Sequence, residues 1–296
     1  MDTPNLPQKG AAKDTIFRRK HSLKIGGALR VIDHPWVMGI LNTTHDSFYA
    51  KSRALQEENI RERIVQMLEE GADIIDVGAA STRPGAELSE PKTEMERLKP
   101  ALRILSREFP DTPVSVDTYW SEVARMAVDA GAHIINDVSG GTIDDRMFSA
   151  AADLRVPYIL MHIQGTPQTM QQDPRYKDVF REVAYYFSEK MQALLELGIN
   201  DIILDPGFGF GKTDVHNYTL MHHLSDFKIF ERPLLVGVSR KGMISRVLGI
   251  PSQEALNGTS VLNTIALQKG ASILRVHDVK EAVEAVKLVT FTQNSA

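Results

Sequence analysis

Apolar runs recur in this chain with the same flanks. Four times a helical pattern ends on a glycine, a short apolar run follows, and a polar residue closes it: EEGADIIDVG from Glu69, DAGAHIINDVSG from Asp129, ELGINDIILDPGFG from Glu196 and QKGASILRVHD from Gln268. Gly71, Gly131, Gly198 and Gly270 stand where a left-handed helix C-cap belongs. The Ile/Val/Leu runs after them have the continuous apolar character of strands buried on both faces. The copies recur every 60 to 72 residues, leaving room for one further βα unit between them. Those units are present at 36–42 (WVMGILN), 113–118 (PVSVDT), 157–162 (PYILMH) and 233–240 (PLLVGVSR), three of them opened by Pro and all followed by helical patterning. Eight strands alternating with helices predict an α/β fold, a (β/α)8 TIM barrel. HSLKIGGALRVID alternates around Gly26–Gly27 and predicts an N-terminal β-hairpin that closes the bottom of the barrel.

In such a barrel the loops after the strands form the face on which active sites are built. Asn42, Asp117, Asn136, Asp205, Lys241 and Arg275, far apart in sequence, are therefore expected to converge. The length of 296 residues and 43% hydrophobic content suit one such domain, read here as 23–296. Residues 1–22 carry Pro, Lys, Arg and Gly without an apolar stretch, and are expected to be a mobile tail rather than a secretory signal. A net charge of -4 and a pI of about 6.2 give no basic footprint for nucleic acid. No apolar run approaches the roughly 18 residues of a membrane span, so a soluble, cytoplasmic protein is expected. The absence of cysteine excludes disulfides, thiolate metal sites and a Cys nucleophile.

Asp117, Asn136, Asp137 and Asp205 end strands that are buried on both sides. A buried carboxylate costs several kcal/mol, about 3 or more, unless it is paired or serves a ligand. Asp137 is expected to be structural, a cap for the following helix. Two acids and an amide in a dry pocket suit a flat heterocycle with an amidine-like edge, since a carboxylate accepts two parallel N–H bonds. GFGFGKT lacks the Walker spacing; its glycines are expected to let the backbone pass close to a ligand, with Phe208 or Phe210 on the pocket wall and Lys212 solvated. Ser239, Arg240 and Lys241 open a helix, where free N–H groups favour an anion. With Arg275 and His277, two residues apart on the eighth strand, they form a cationic corner. His222 and His223 lack a partner carboxylate at metal spacing and are read as surface residues.

Taken in order, GILNTTHDSF, IIDVGAASTRPGAE, VSVDT, AGAHIINDVSGG, LMHIQGTPQTM, LDPGFGFGKT, LVGVSRK and RVHDV resemble the motif series of the dihydropteroate synthase family, one motif per strand, from about Ser22 to Lys287. The resemblance implies condensation of 6-hydroxymethyl-7,8-dihydropterin diphosphate with p-aminobenzoate. It implies that Asp117, Asn136, Met161, Asp205 and Lys241 hold the pterin, and that Asn42, Thr82, Arg275 and His277 hold the diphosphate, with Mg2+ bridging it to Asn42. Phe48, Thr82, Arg83, Pro84, Phe210, Ser239 and Gly242 fall at positions that form the aminobenzoate site. Asp46, with Asp117, Lys241, Arg275 and His277, is implied in catalysis, as an anion beside a transient pterin cation. A homodimer through helices late in the barrel is also implied. A methyltransferase acting between methyltetrahydrofolate and a corrinoid would share the barrel and the acid–amide–acid pocket, but SRK and RVHD point to a diphosphate that methyl transfer lacks. The other alternative is a barrel that binds pterin without turnover, its loops having drifted at His45, Lys51 and Gly242.

Departures from the family pattern are His45 in place of Pro, Tyr49-Ala50-Lys51 in place of a stretch ending in a Gly pair, Ala80 for Glu, and Gly242 for the Ser after SRK. The last is expected to weaken aminobenzoate binding without abolishing it.

Overall fold

The computed structural model of the chain describes residues 20–43, 50–80 and 88–295. Its first element is the expected hairpin, in which β1 (His21–Ile25) pairs antiparallel with β2 (Ala28–Ile32). Gly26 and Gly27 turn it with φ of 59° and 80°, the positive values that a two-residue hairpin turn matched to strand twist requires. Because His21 already faces Ile32 across this ladder, the hairpin begins inside the segment expected as a tail, which moves the boundary back from residue 22.

The barrel follows as β3 (Trp36–Asn42), α1 (Ala50–Glu69), β4 (Ile74–Gly78), α2 (Pro91–Glu108), β5 (Val114–Asp117), α3 (Ser121–Asp129), β6 (Ile134–Asp137), α4 (Met147–Leu154), β7 (Tyr158–Met161), α5 (Val179–Glu196), β8 (Ile202–Asp205), α6 (Asp214–His222), β9 (Leu235–Val236), α7 (Gly242–Leu248), α8 (Leu256–Gln268), β10 (Ile273–Val276) and α9 (Val279–Asn294). The strands are parallel, in the order β8-β7-β6-β5-β4-β3-β10-β9. A parallel bridge between Leu204 and Leu234, with the Leu204 N–H donating to Pro233 O at 2.9 Å, brings the two ends together. The glycines of the repeated phrase take φ of 97° (Gly71), 107° (Gly131), 84° (Gly198) and 97° (Gly270), as left-handed C-caps do. PLLVGVSR keeps only Leu235–Val236 as strand. Beyond it the chain leaves the ladder and turns, the Lys241 N–H donating to Val238 O, which swings Lys241 toward the interior.

Alternation along each strand sorts the core into two layers. Val37, Ile75, Val116, Ile135, Leu160 and Leu204 face the helices. Met38, Ile74, Ile134, Ile159, Ile203 and Ile273 face inward and form one cluster with Leu23, Ile25 and Ile32 of the hairpin. The hairpin is therefore the floor of the barrel at the N-terminal end of the strands. The same parity explains Asp137. It follows Ile135 on the outward face, where it accepts from Tyr158 Oη (2.5 Å), from the Ser139 N–H and Oγ (both 2.7 Å) and from the Gly141 N–H (2.7 Å). The carboxylate pins the turn after β6: the role is structural, as expected, but it serves this turn and not the following helix, which begins only at Met147.

Leu23 is 1% exposed and fills the floor. Leu23→Ala should cost about 2–5 kcal/mol by leaving a cavity, while the top face keeps its ligand affinities. Urea unfolding beside ligand titration checks both; a loss of affinity matching the loss of stability would contradict a floor remote from the site.

Candidate active site

Above this floor the inward positions turn polar. Two residues beyond Ile74, Ile134, Ile203 and Ile273 stand Asp76, Asn136, Asp205 and Arg275, and register places Asp117 beside Asn136 on one side and Gly78 on the other. Met161 pairs with Asp205 across β7 and β8. Glycine keeps the space between them open. A Cβ on Gly78 would lie 3.4 Å from Asp117 Cβ and 3.7 Å from Asn42 Oδ1, and one on Gly237 would lie 3.7 Å from Arg275 Cβ and 3.8 Å from Lys241 Nζ.

Arg275 binds two carboxylates at once. Its Nε donates to Asp76 Oδ2 at 2.7 Å and its Nη2 to Asp117 Oδ2 at 2.6 Å, while Asn136 Nδ2 donates to Asp76 Oδ2 at 3.2 Å. Burial works against the guanidinium's charge, but Asp76 and Asp117 outweigh it and hold the group firmly protonated. Burial pushes Asp117 up to about 7, against the pull of Arg275. It raises Asp205 as well, against Lys241 and the Gly207 N–H, which donates to Asp205 Oδ1 at 2.8 Å. Lys241 is pulled down to about 8 by burial, with Asp205 opposing. Its ammonium donates to Phe208 O at 2.6 Å and lies 4.7 Å from the centre of the Phe210 ring, a cation–π distance. Burial and the neighbouring Arg275 lower His277 to about 4, so its imidazole is neutral near pH 7. The backbone N–H of His277 donates to Ser239 Oγ at 3.2 Å. Beyond Asn42 and His277 a cavity of about 480 Å3 opens between β3 and α1, lined also by Asn59 and Arg63.

Asn42, Asp117, Asn136, Asp205, Lys241, Arg275 and His277 thus share one end of the barrel, with Met161, Phe210 and Ser239 among them. Asp46, Phe48, Thr82, Arg83 and Pro84 lie outside the described residues. Asp76 was not anticipated as a site residue, although it ends the first repeated phrase with the inward parity of Ile74. Arg240, expected in the cationic corner, instead pairs with Asp278 at 2.8 and 2.9 Å. Lys212 is the clearest correction. Far from solvated, it is 1% exposed and its Nζ meets His162 Nδ1 (2.9 Å), His162 O (3.3 Å), Gly207 O (3.0 Å) and Phe210 O (2.9 Å). The glycines of GFGFG turn those carbonyls inward, and Lys212 fastens the loop to the end of β7. Phe208 joins the outer core, which leaves Phe210 on the side of the site. His222 is exposed and His223 partly so, as expected, but His223 does have a carboxylate beside it, its Nδ1 lying 2.9 Å from Asp226 Oδ2.

Fold and site together define a (β/α)8-barrel enzyme whose upper interior suits a planar ligand rich in N–H donors, beside a cationic corner for an anion. The sequence profile of the pterin binding enzymes matches residues 38–277. The chain is 44% identical over 263 residues to the dihydropteroate synthase of Escherichia coli K12, covering 88% of this chain and 93% of that one. Among solved structures, the Yersinia pestis dihydropteroate synthase in complex with a sulfonamide drug matches with a TM-score of 0.86 at 40% identity, covering 93% of this chain and 100% of that one. The Xanthomonas albilineans enzyme with 4-aminobenzoic acid matches with a TM-score of 0.85 at 37% identity, covering 93% and 99%. The chain belongs to the dihydropteroate synthase family of pterin binding enzymes, transferases of folate biosynthesis.

Asp76→Ala would leave Arg275 and Asn136 each short of a buried partner. Breaking a buried pair from one side costs about 3–5 kcal/mol, and Asp76→Asn, which keeps one acceptor for the guanidinium, should cost less. Chemical denaturation of the two variants tests the ranking; equal stabilities would show that a neutral acceptor at position 76 does nothing to hold Arg275.

Proposed function

We propose that the chain condenses 6-hydroxymethyl-7,8-dihydropterin diphosphate with p-aminobenzoate, giving 7,8-dihydropteroate and diphosphate, with the pterin held in the upper interior of the barrel. The observation that carries this reading is the convergence of Asp117, Asn136 and Asp205 from three strand ends with Lys241 from the turn before α7, the charges of Asp117, Asp205 and Lys241 close enough to act on one another. Asp117 and Asp205 accept the pterin's amino and ring N–H groups, Lys241 donates to its carbonyl, and Met161 and Phe210 supply apolar walls. Asn136 turns its Nδ2 to Asp76, which leaves its carbonyl oxygen and one amide N–H for the pterin.

Asp76 and Asp117 fix the plane of Arg275 and leave its Nη1 for an oxygen of the diphosphate, with the neutral imidazole of His277 and the amide of Asn42 alongside. The bond between the pterin's exocyclic carbon and the diphosphate oxygen breaks first, its electron pair leaving on the diphosphate. Arg275 and His277 stabilise that charge where it develops. The electron-rich pterin carries the resulting cation between the carboxylates of Asp117 and Asp205. The aromatic amine is neutral at pH 7; its lone pair forms the new C–N bond and its proton passes to water. Asn42 offers one amide oxygen at the exposed end of β3, and among the described residues no group of three or more His, Asp or Glu forms a metal cage. This donor set fits a magnesium ion carried mainly by the diphosphate and water, as Mg2+ sites at phosphates commonly are. Bound there, the ion would neutralise the leaving group.

The proposal extends to a homodimer in the cytoplasm. The late helices expose Leu248 (53%), Val261 (51%), Leu288 (70%) and Phe291 (76%), an apolar surface suited to a second copy. No described helix is long and apolar enough to cross a membrane. Phe291→Glu should shift the protein toward monomer in analytical ultracentrifugation; an unchanged sedimentation coefficient would place the interface elsewhere.

Affinity for a pterin analogue should pass through a maximum between about pH 7 and 8. Asp117, raised to about 7, loses its accepting charge as pH falls through that value, and Lys241, lowered to about 8, loses its donated proton as pH rises past it. Calorimetric titration from acid to alkaline pH measures the profile, and Asp117→Asn should remove its acid limb while costing about 1.5–3 kcal/mol of binding. An affinity that ignores pH, or an Asp117→Asn variant that binds as tightly as the parent, would take these groups out of the pterin site.

A further inference from the structure

We infer that Arg246 sets the specificity for the second substrate by holding the carboxylate of p-aminobenzoate at the rim of the site; the inference rests on the reaction proposed above. Gly242 and Arg246 lie one helical turn apart on α7. A Cβ on Gly242 would fall 2.3 Å from Arg246 Nη1 and 3.2 Å from its Cζ, so the guanidinium occupies the space that a side chain at 242 would take. The backbone does not require glycine there, since Gly242 has no left-handed φ. What the glycine provides is room for the guanidinium.

The guanidinium is also aimed. Its Nε donates to Asp214 Oδ2 at 2.9 Å and its Nη2 to Asp214 Oδ1 at 2.5 Å, a two-point pairing that fixes the plane and leaves Nη1 directed over Gly242. Asp214 begins α6 after the GFGFGKT loop, and Gly242 begins α7 after the SRK turn, so the guanidinium spans two adjacent corners of the face that carries the site. Lys241, next to Gly242, points the other way, toward Phe210 and Asp205. One turn of chain therefore presents an inward cation to the deep ligand and an outward one to whatever lies above it.

Among the described cations near this rim, Arg240 is committed to Asp278, Arg275 to Asp76 and Asp117, and Lys212 to backbone carbonyls. Arg246 is 60% exposed and keeps one nitrogen outside its pairing. The second substrate must put its amine over the pterin carbon, so its carboxylate, on the far side of the ring, points outward to the rim. A guanidinium there replaces the missing hydroxyl at 242 with a full charge, which reverses the expectation of weakened binding.

Steady-state kinetics of Arg246→Gln, Arg246→Lys and Asp214→Asn with 4-aminobenzoate and with uncharged 4-aminobenzamide test the inference. Arg246→Gln should raise KM for 4-aminobenzoate about three- to five-fold, the scale of an exposed charge pair, with kcat, KM for the pterin diphosphate, KM for the amide and the melting temperature unchanged. Arg246→Lys should recover part of the difference, and Asp214→Asn should show a smaller rise as the guanidinium loses its orientation. A KM for 4-aminobenzoate unchanged by Arg246→Gln, or an equal rise for carboxylate and amide, would overturn it. Failure of the parent enzyme to turn over either amine would remove the proposed reaction itself, and this inference with it.

Discussion

A single guanidinium shared between two carboxylates sits at the centre of this molecule. Arg275, Asp76 and Asp117 come from strands that are far apart in sequence, and each would be costly to bury alone. Held together by bonds of 2.6 and 2.7 Å they make a charged crosspiece above an apolar floor, and the barrel closes around it. The crosspiece is incompletely satisfied by design of its geometry: one nitrogen of Arg275 and one oxygen of Asp117 have no partner within it. Networks of this kind are rigid where they are complete and receptive where they are not. The site is receptive on the side that faces the loops.

Two devices keep that side open. Gly78 and Gly237 withhold side chains at inward positions where a Cβ would already fill the space up to contact with Asn42, Asp117, Arg275 or Lys241. Lys212 does the complementary work from outside, gathering the carbonyls of Gly207 and Phe210 against the end of β7. Without that fastening, Phe210 would stand on a glycine-rich loop, next to Asp205 at the strand end, with little to fix it. Charge at the centre, absence of side chains around it and a buried amine behind it are three separate means to one end, a polar cavity that does not collapse.

Much of this was legible in the chain. Repeated C-cap glycines followed by apolar runs gave away the strand count, and the polar residue closing each run marked the face on which the site is built. Parity was legible too: Asn136 inward and Asp137 outward follow from one strand's alternation. What failed to show was partnership. Asp76 has the same sequence signature as Asp205, and nothing in the sequence says that its oxygens face Arg275 and Asn136. Lys212 reads as an ordinary loop lysine until three glycines with positive φ fold the loop over it. Arg240 and Lys241 are neighbours of like charge whose side chains part only because the turn at Arg240 takes φ of 52°. The pairing of Gly242 with Arg246 was accessible in principle, since residues four apart on a helix are neighbours, but only geometry shows which nitrogen is left over.

The hairpin has a consequence for traffic. With Leu23, Ile25 and Ile32 packed into the floor, the barrel is a blind tube with its opening at the loop end. Whatever lies deepest must arrive first and cannot depart while something rests above it. A molecule assembled inside by joining a deep piece to a shallow one must then be withdrawn whole, shallow end leading. The floor, which touches no reactant, thereby imposes a last-in, first-out discipline on everything that passes through the mouth.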